Sequence, residues 1–333
     1  MTAWRRALAH PALRALLPLL AVALVGAIFN RDGAFFEWQT HRAMLREISV
    51  HGILACGMTV VIITAGIDLS VGSVLALSAV SFALFTMPLG WSAALAVVVT
   101  LGVGLSVGAV NGVLVALPRI QAFVVTLASM VFARGLAKQL ADGKKVTSSF
   151  QVADGSFVSV PQPAIFETID ARVLGDNVSV VTLVFLGCAA LTWFILARLE
   201  MGRYLYAVGG SAEAARLSGV PVRATLIFAY AFAGVLSAVA GICQAAQETH
   251  GDPETGLGYE LDAIAMVVLG GTSLMGGRGG IGLTLIGALT LGTLQKVLSL
   301  NAFSTEARLM LTGVIIIAAV LFQMVMRSRA REG

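Results

Sequence analysis

Between Glu47 and Arg119 the chain carries a single formal charge, Asp68. A stretch of that length without charge cannot lie on a wetted surface. Cut into pieces of about 17–25 residues, it crosses ~30 Å of hydrocarbon several times. The rest of the chain follows the same rule: of 333 residues 58% are hydrophobic and 12% charged, and the mean hydropathy is +0.90. A water-soluble domain averages about 25% charged residues, so lipid is the solvent here. A net charge of +4 and a pI near 9.2 raise the question of nucleic acid. The Lys and Arg residues, however, are scattered over short loops and the chain ends instead of forming one face, which suits cytoplasmic loops facing anionic lipid and gives no nucleic-acid partner. Cys56, Cys188 and Cys243 each sit inside an apolar run without a partner at metal-ligand or redox spacing, and read as small hydrophobes.

Ten apolar runs are expected to span, near 13–29, 48–65, 71–88, 92–117, 122–140, 178–196, 224–246, 261–274, 281–300 and 309–326. The eighth is short and Gly-rich, so eight or nine full crossings with re-entrant pieces also fit. A backbone in lipid must satisfy its own hydrogen bonds, and no ten-residue alternation of a barrel is present, so the fold class is all-α: a polytopic helical membrane protein with broken or re-entrant segments, a single permease-like domain over 1–333. Arg5 and Arg6 ahead of the first run also have the layout of a signal peptide, with Ala27 as the cleavage point; the spans that follow favour the uncleaved reading.

Arg5, Arg6 and Arg14 at one end and Arg327, Arg329 and Arg331 at the other place both termini in the cytoplasm, with the loop 197–223 beside them. Arg31, Arg42 and Arg46 then lie outside, against the rule. The stretch 247–262 on that opposite side has no Lys or Arg and carries Glu248, Asp252, Glu254, Glu260 and Asp262.

Polar residues inside such a chain need a reason. Asp68 lies in GIDLSVGS at 66–73, where Gly66, Gly72 and Ser70 suit a broken helix. Asp68 and Ser70 are first explained as caps of the helix that starts near Val71, with its positive dipole end, and second as contacts for a solute. Asn111, Gln121, Thr126 and Ser129 form a second polar set. Asn111 ends a run with Gly102, Gly104 and Gly108 that reads first as close helix packing and then as pathway lining. Lys296 is close enough to its helix end to snorkel. None of the histidines has a metal-binding neighbour at i+3 or i+4, and His41, His51 and His250 are expected near membrane surfaces.

In the loop 197–223, Ser211 is an N-cap, Glu213 falls in the first turn, Gly219 is a C′ residue and Pro221 follows as a stop. They bound a helix over 212–218 with small residues Ala212, Ala214 and Ala215 and one exposed Arg216. Docking in a partner's cleft and an ordinary surface turn are both open on these residues alone.

The runs GIDLSVGS, NGVLVALPRIQAFVVTLASMVFARGLA at 111–137, GRYLYAVGGSAEAARLSGV at 202–220 and GLGYELDAIAMVVLGGTSLMGGRGG at 256–280 resemble the permeases of ribose-, xylose- and galactoside-type ABC importers, over 48–325. Glu213, Ala214, Ala215 and Gly219 match the EAA-x-x-x-G pattern of importer permeases. The resemblance implies a coupling helix there, comprising Ser211, Glu213, Ala214, Ala215, Arg216 and Gly219, that meets a nucleotide-binding subunit. It also implies a homodimer, nucleotide-binding domains that are often fused in one chain, a periplasmic sugar-binding protein, alternating access and the cytoplasmic membrane. No catalytic residue and no metal are implied for this chain. Asp68, Ser70, Asn111, Gln121 and Thr126 stand as candidates for the translocation pathway.

With lysines at 138, 144, 145 and 296 only, no G-x-x-x-x-G-K-[ST] run exists, so ATP and its Mg belong to another polypeptide. The glycine-rich 270–280 lacks Lys and a preceding strand, and reads as a tight re-entrant turn or packing segment. Branched-chain amino acid permeases are the runner-up within this class. An ion-coupled secondary transporter would share the broken helices. An intramembrane enzyme ranks last, because Glu260 with Asp262 is the only close acidic pair near a span. The stretch 141–177, with Asp142, Lys144, Lys145, Asp154, Glu167 and Asp170, is the best candidate for part of the surface that docks the sugar-binding protein.

Overall fold

The computed structural model describes residues 11–151 and 156–304, and beyond them 306–308, 310, 311, 313, 314 and 317. The expected tenth span at 309–326 and the arginines at both chain ends lie largely or wholly outside the described residues.

The helices in chain order are α1 (Pro11–Ile28), α2 (Trp38–Ile63), α3 (Val71–Thr86), α4 (Ala93–Ala116), α5 (Ala122–Leu140), α6 (Ala164–Asp170), α7 (Val180–Arg198), α8 (Glu200–Gly210), α9 (Ala212–Leu217), α10 (Val222–Glu248), α11 (Tyr259–Leu269) and α12 (Ile281–Leu300). Two small antiparallel pairs, β1 (Ser149–Gln151) with β2 (Phe157–Ser159) and β3 (Arg172–Val173) with β4 (Val178–Ser179), fold the long loop between α5 and α7. Six helices, α2, α4, α5, α7, α10 and α12, are long and apolar enough to cross a membrane. With α1 and α3 as shorter apolar helices, this is a polytopic, all-α membrane protein. At 1.5 Å per residue, the 11-residue α11 reaches about 16 Å, half of a hydrocarbon core, where the apolar run 261–274 is read as a span.

The centre of the fold is α10, which packs against α2, α3 and α4. Small residues permit the approach. A Cβ on Gly104 would lie 2.3 Å from the Gly234 carbonyl oxygen, one on Gly108 would lie 2.3 Å from that of Tyr230, and one on Gly112 2.6 Å from Ile227 Cα. These glycines recur every four residues, so they form one stripe along α4. Gly102 is off the stripe with open space beside it. Val98 and Val110 on α4 and Val131 and Phe132 on α5 are exposed, an apolar surface suited to lipid or to another subunit. Cys56, Cys188 and Cys243 are free thiols buried in the same interior.

α2 begins at Trp38, ten residues before the apolar run, because its first turns are amphipathic. Arg42 pairs with Asp176 at 3.1 Å, Arg46 pairs with Asp170, and Trp38 Nε1 donates to Asn177 Oδ1 at 2.7 Å. Two of the three arginines that run against the charge rule, Arg42 and Arg46, are thus paired with carboxylates of the loop that the fold places beside them. Lys296 lies 3.4 Å from Glu47 Oε1, so it is held by a carboxylate as well as by its position near the end of α12. His51 packs within the contact of α2 and α11: its ring lies 4.0 Å from that of Tyr259 and its Nε2 3.5 Å from Asp262.

Candidate functional site

The chain breaks between α2 and α3. After Ile63, Thr64 N donates to Val61 O at 3.0 Å, Ala65 N to Ile62 O at 2.9 Å and Gly66 N to Val61 O at 3.1 Å. Ala65 takes φ +62, a left-handed conformation that closes the helix at a cost of about 1 kcal/mol for an L-residue. Gly66 is required next, since a Cβ there would meet the Tyr230 hydroxyl at 2.4 Å. Asp68 then turns its carboxylate to the start of α3: Oδ1 accepts from Ser70 N at 2.9 Å and from Ser70 Oγ at 2.6 Å.

Four of the five pathway candidates meet here. Asn111 Nδ2 on α4 donates to Ser70 Oγ at 3.0 Å, and Ser129 Oγ on α5 donates to Asn111 Oδ1. Thr126 Oγ1 donates to the Ala122 carbonyl at 2.9 Å and reaches the Ile67 carbonyl at 3.3 Å. Asp68, Ser70, Asn111 and Thr126 are all at most 1% exposed. Asp68, Ser70, Asn111 and Ser129 bond in a chain and Thr126 reaches the Ile67 carbonyl beside it, which makes the cluster a brace that ties α4 and α5 to a broken helix. Gln121 stands apart: it is the exposed N-cap of α5 and its side chain makes no cap bond. Ser129, which belongs to the same polar set, is a member of the brace where Gln121 is not.

Under the break the Tyr230 hydroxyl is buried and has no hydrogen-bond partner among the described residues. An unmade bond at a buried hydroxyl costs about 1–3 kcal/mol. Tyr230→Phe is therefore expected to keep or raise the thermal midpoint of the detergent-solubilised protein, and a fall of several degrees would show that this hydroxyl is satisfied.

The segment between α7 and α10 holds two helices where one was expected. α9 has the anticipated ends: Ser211 Oγ accepts from Ala214 N at 3.2 Å, Gly219 takes φ +82, and Gly219 N and Val220 N bond back to Arg216 O at 3.1 Å and Ala215 O at 3.0 Å, a Schellman closure. Glu213 and Arg216 pair at 2.6 Å on the exposed side, and that hydrogen bond holds the Glu213 carboxyl below its ordinary pKa. Pro221 is the residue before α10, a start more than a stop. α8, which precedes α9, carries too even a mixture of polar and apolar residues to show as an apolar run.

At the other end of the bundle, the acidic stretch 247–262 meets the cations of α5 and the following loop. Lys138 pairs with Glu254 at 2.6 Å, Lys145 with Asp252 at 3.0 Å, and Arg134 Nη1 donates to the carbonyls of Pro253 and Thr255, each at 2.6 Å. Val146 and Gly251 bridge as an antiparallel pair. Partial burial alone would raise the pKa of Asp252, but the Glu254 N–H and the Lys145 ammonium outweigh it and leave the carboxyl lowered. A lowered folded pKa contributes stability above the unfolded value, and that stability disappears only as pH falls through the lowered one.

Comparison with known proteins follows the same residues. A family model described as "Branched-chain amino acid transport system / permease component" matches residues 42–320. The ribose import permease protein RbsC of Haemophilus influenzae is 39% identical over 313 residues, 92% of this chain and 91% of the relative. The L-arabinose transport system permease protein AraH of Escherichia coli is 39% identical over 279 residues, 83% and 79% of the two chains. The fructose import permease protein FrcC of Rhizobium meliloti is 35% identical over 312 residues, 92% and 84%. No solved structure matches. The resemblance carried by the four motifs therefore extends through nearly the whole chain, and with a helical, membrane-spanning architecture under it, this chain belongs to the family of transport-system permease components, a transport subunit and not an enzyme.

Proposed function

We propose that this chain is the membrane-spanning permease of an importer that moves a simple sugar inward by alternating access, driven by ATP hydrolysis on a separate nucleotide-binding subunit. The observation that carries the reading is identity of 35–39% to ribose, arabinose and fructose permeases over most of both chains. The absence of any P-loop sequence from the 333 residues supports an external motor. The working unit is two copies of this permease with its ATPase on the cytoplasmic side and a sugar-binding protein outside. Both termini are cytoplasmic, in the inner membrane. Pairing of Arg42 and Arg46 with Asp176 and Asp170 supports that orientation by removing the cost of two outward arginines.

Affinity purification in mild detergent, followed by mass spectrometry, tests this first: recovery of a P-loop ATPase with a sugar-binding protein is expected. Uptake into proteoliposomes without any ATPase, dependent on an ion gradient, would replace it with a secondary transporter. The family description names branched-chain amino acids, so leucine is the control solute beside ribose.

Docking of the binding protein is assigned to the side formed by 141–177 and 247–262. Lys145 is tied to Asp252, whereas Lys144 is largely exposed with only a 4.0 Å contact to Asp142. Lys144→Glu is thus the clean probe. It is expected to weaken docking several-fold without loss of folding, measured by binding to the permease in nanodiscs; unchanged affinity would remove Lys144 from the surface.

A further inference from the structure

We propose that Gly209, with the turn at Gly276 and Gly277, is the joint through which movement of α8 and α9 reaches both interruptions of the membrane helices, the α2–α3 break and the 270–280 turn between α11 and α12. The proposal rests on the reading of α9 as the contact with the ATPase.

Three chain segments meet at this point with no side chain larger than the Ala65 methyl between them. Gly209 is buried in the last turn of α8, and a Cβ there would lie 1.7 Å from the Ile63 carbonyl oxygen and 2.7 Å from Gly277 N. Gly277 N donates to that same Ile63 oxygen at 2.9 Å. A Cβ on Gly276 would lie 2.7 Å from the Gly209 oxygen and 2.8 Å from Ala65 Cβ. Tyr206, one turn earlier on α8, donates from its hydroxyl to Gly279 O at 2.9 Å and so holds the far end of the turn.

Contacts between side chains absorb small displacements by rotamer change. Contacts between backbones cannot, so a shift of α8 moves what it touches. Ile63 is the last residue of α2 and its carbonyl stands just before the left-handed Ala65, so the break that seats Asp68 moves with it. The 270–280 turn is equally stiff on its other side: a Cβ on Gly287 would lie 1.8 Å from the Met266 oxygen and one on Gly270 2.1 Å from the Leu283 oxygen. α11 and α12 are therefore pressed backbone to backbone, and a push on their connecting turn displaces them as one piece. This gives the glycine-rich 270–280 segment, which no phosphate chemistry explains, a mechanical role.

The test uses the whole assembly in proteoliposomes, permease with its ATPase and sugar-binding protein, and compares Gly277→Ala and Tyr206→Phe with the native chain. Tyr206→Phe loses one hydroxyl, and Gly277→Ala is the milder of the glycine changes: its Cβ would stand 3.0 Å from Gly210 Cα and N, at a φ of +69 that strains an L-residue, where one on Gly209 would stand 1.7 Å from a carbonyl oxygen. The readout is sugar moved per ATP hydrolysed, with and without loaded binding protein. Assembly is expected to be retained while the ratio falls about 5-fold or more, the scale of an ordinary coupling energy. An unchanged ratio in both assembled variants overturns the joint. Gly219→Val run in parallel separates the two readings: if it uncouples and the joint variants do not, the joint alone fails; if it too leaves the ratio unchanged, the reading of α9 fails.

Discussion

Gly108→Val is expected to leave no folded permease in the membrane. The hydrogen that glycine presents faces the Tyr230 carbonyl oxygen, which a Cβ would approach to 2.3 Å, with Ala231 Cα at 3.0 Å behind it. Neither atom is the end of a flexible side chain. The only relief is to move α4 away from α10, which also opens the contacts of Gly104 with Gly234 and Gly112 with Ile227. Overpacking a core usually costs about 1–3 kcal/mol, and a clash with backbone along a central helix pair belongs at or above the top of that range. Against a typical folding stability of about 5–15 kcal/mol, and with the Asn111 brace on the same helix disturbed, the expected outcome is loss of the monodisperse peak in fluorescence-detected size-exclusion chromatography. Gly102→Val on the same helix, where nothing lies within 4 Å, is the control and is expected to behave as the native chain. Equal behaviour of the two would mean that α4 and α10 are not in direct contact.

Gly219→Val is expected to separate ATP hydrolysis from transport. Gly219 has open space around it, so the variant meets no clash; the cost arises from φ +82, which a β-branched residue adopts at about 1–3 kcal/mol. The Schellman closure of α9 is the least expensive thing to give up, because α9 has six residues and an exposed face. The fold of the bundle should stand and the thermal midpoint should be nearly unchanged. If α9 is the element that the ATPase holds, the stimulation of hydrolysis by loaded binding protein should fall about 10-fold or more. Gly219→Asn, which tolerates the left-handed region, should retain most of it. Native stimulation in the valine variant would remove the support for α9 as the coupling element.

Much of this could be read from the sequence because the signals are local. The ends of α9 are local chemistry: Ser211, Glu213 and Gly219 occupy the positions that capping prefers, and the helix falls within a residue of its expected range. The bounds of α3 and α4 follow from charge-free apolar runs that begin after Ser70 and Ser92 and end just before Pro88 and Pro118. The polar set of Asp68, Ser70, Asn111, Thr126 and Ser129 was visible as a set of residues that lipid should exclude, and the break at Gly66 as a place where a helix could end. Their mutual bonding was not visible, because Asp68, Asn111 and Ser129 stand on different helices and nothing local states their register. Gln121, polar and close to the others in sequence, stands before the first turn of α5 with its side chain exposed, and so takes no part in their bonding.

The start of α2 was missed for a related reason. His41, Arg42, Arg46 and Glu47 look like a loop to a hydropathy window, and become a helix only with Asp170, Asp176 and Lys296 beside them. α8 was missed because its apolar face is short, and because its neighbours, Ile63 and Gly277, are remote in sequence. The glycines were read as packing residues, but only the partner chain segment tells which of them matter: Gly104 and Gly108 do, Gly102 does not.

The glycine stripe on α4 also bears on how the protein is made. Its partner α10 emerges from the ribosome only after α5, α6, α7, α8 and α9, so α4 must enter the bilayer with its groove unfilled. During that interval three bare backbone positions, Gly104, Gly108 and Gly112, face acyl chains that cannot fit them as closely as Gly234 and its neighbours later do. Nascent α4 is thereby a half-finished surface on which a wrong helix could dock, and the stripe makes the order of synthesis, as well as the final packing, a constraint on which residues this helix can carry.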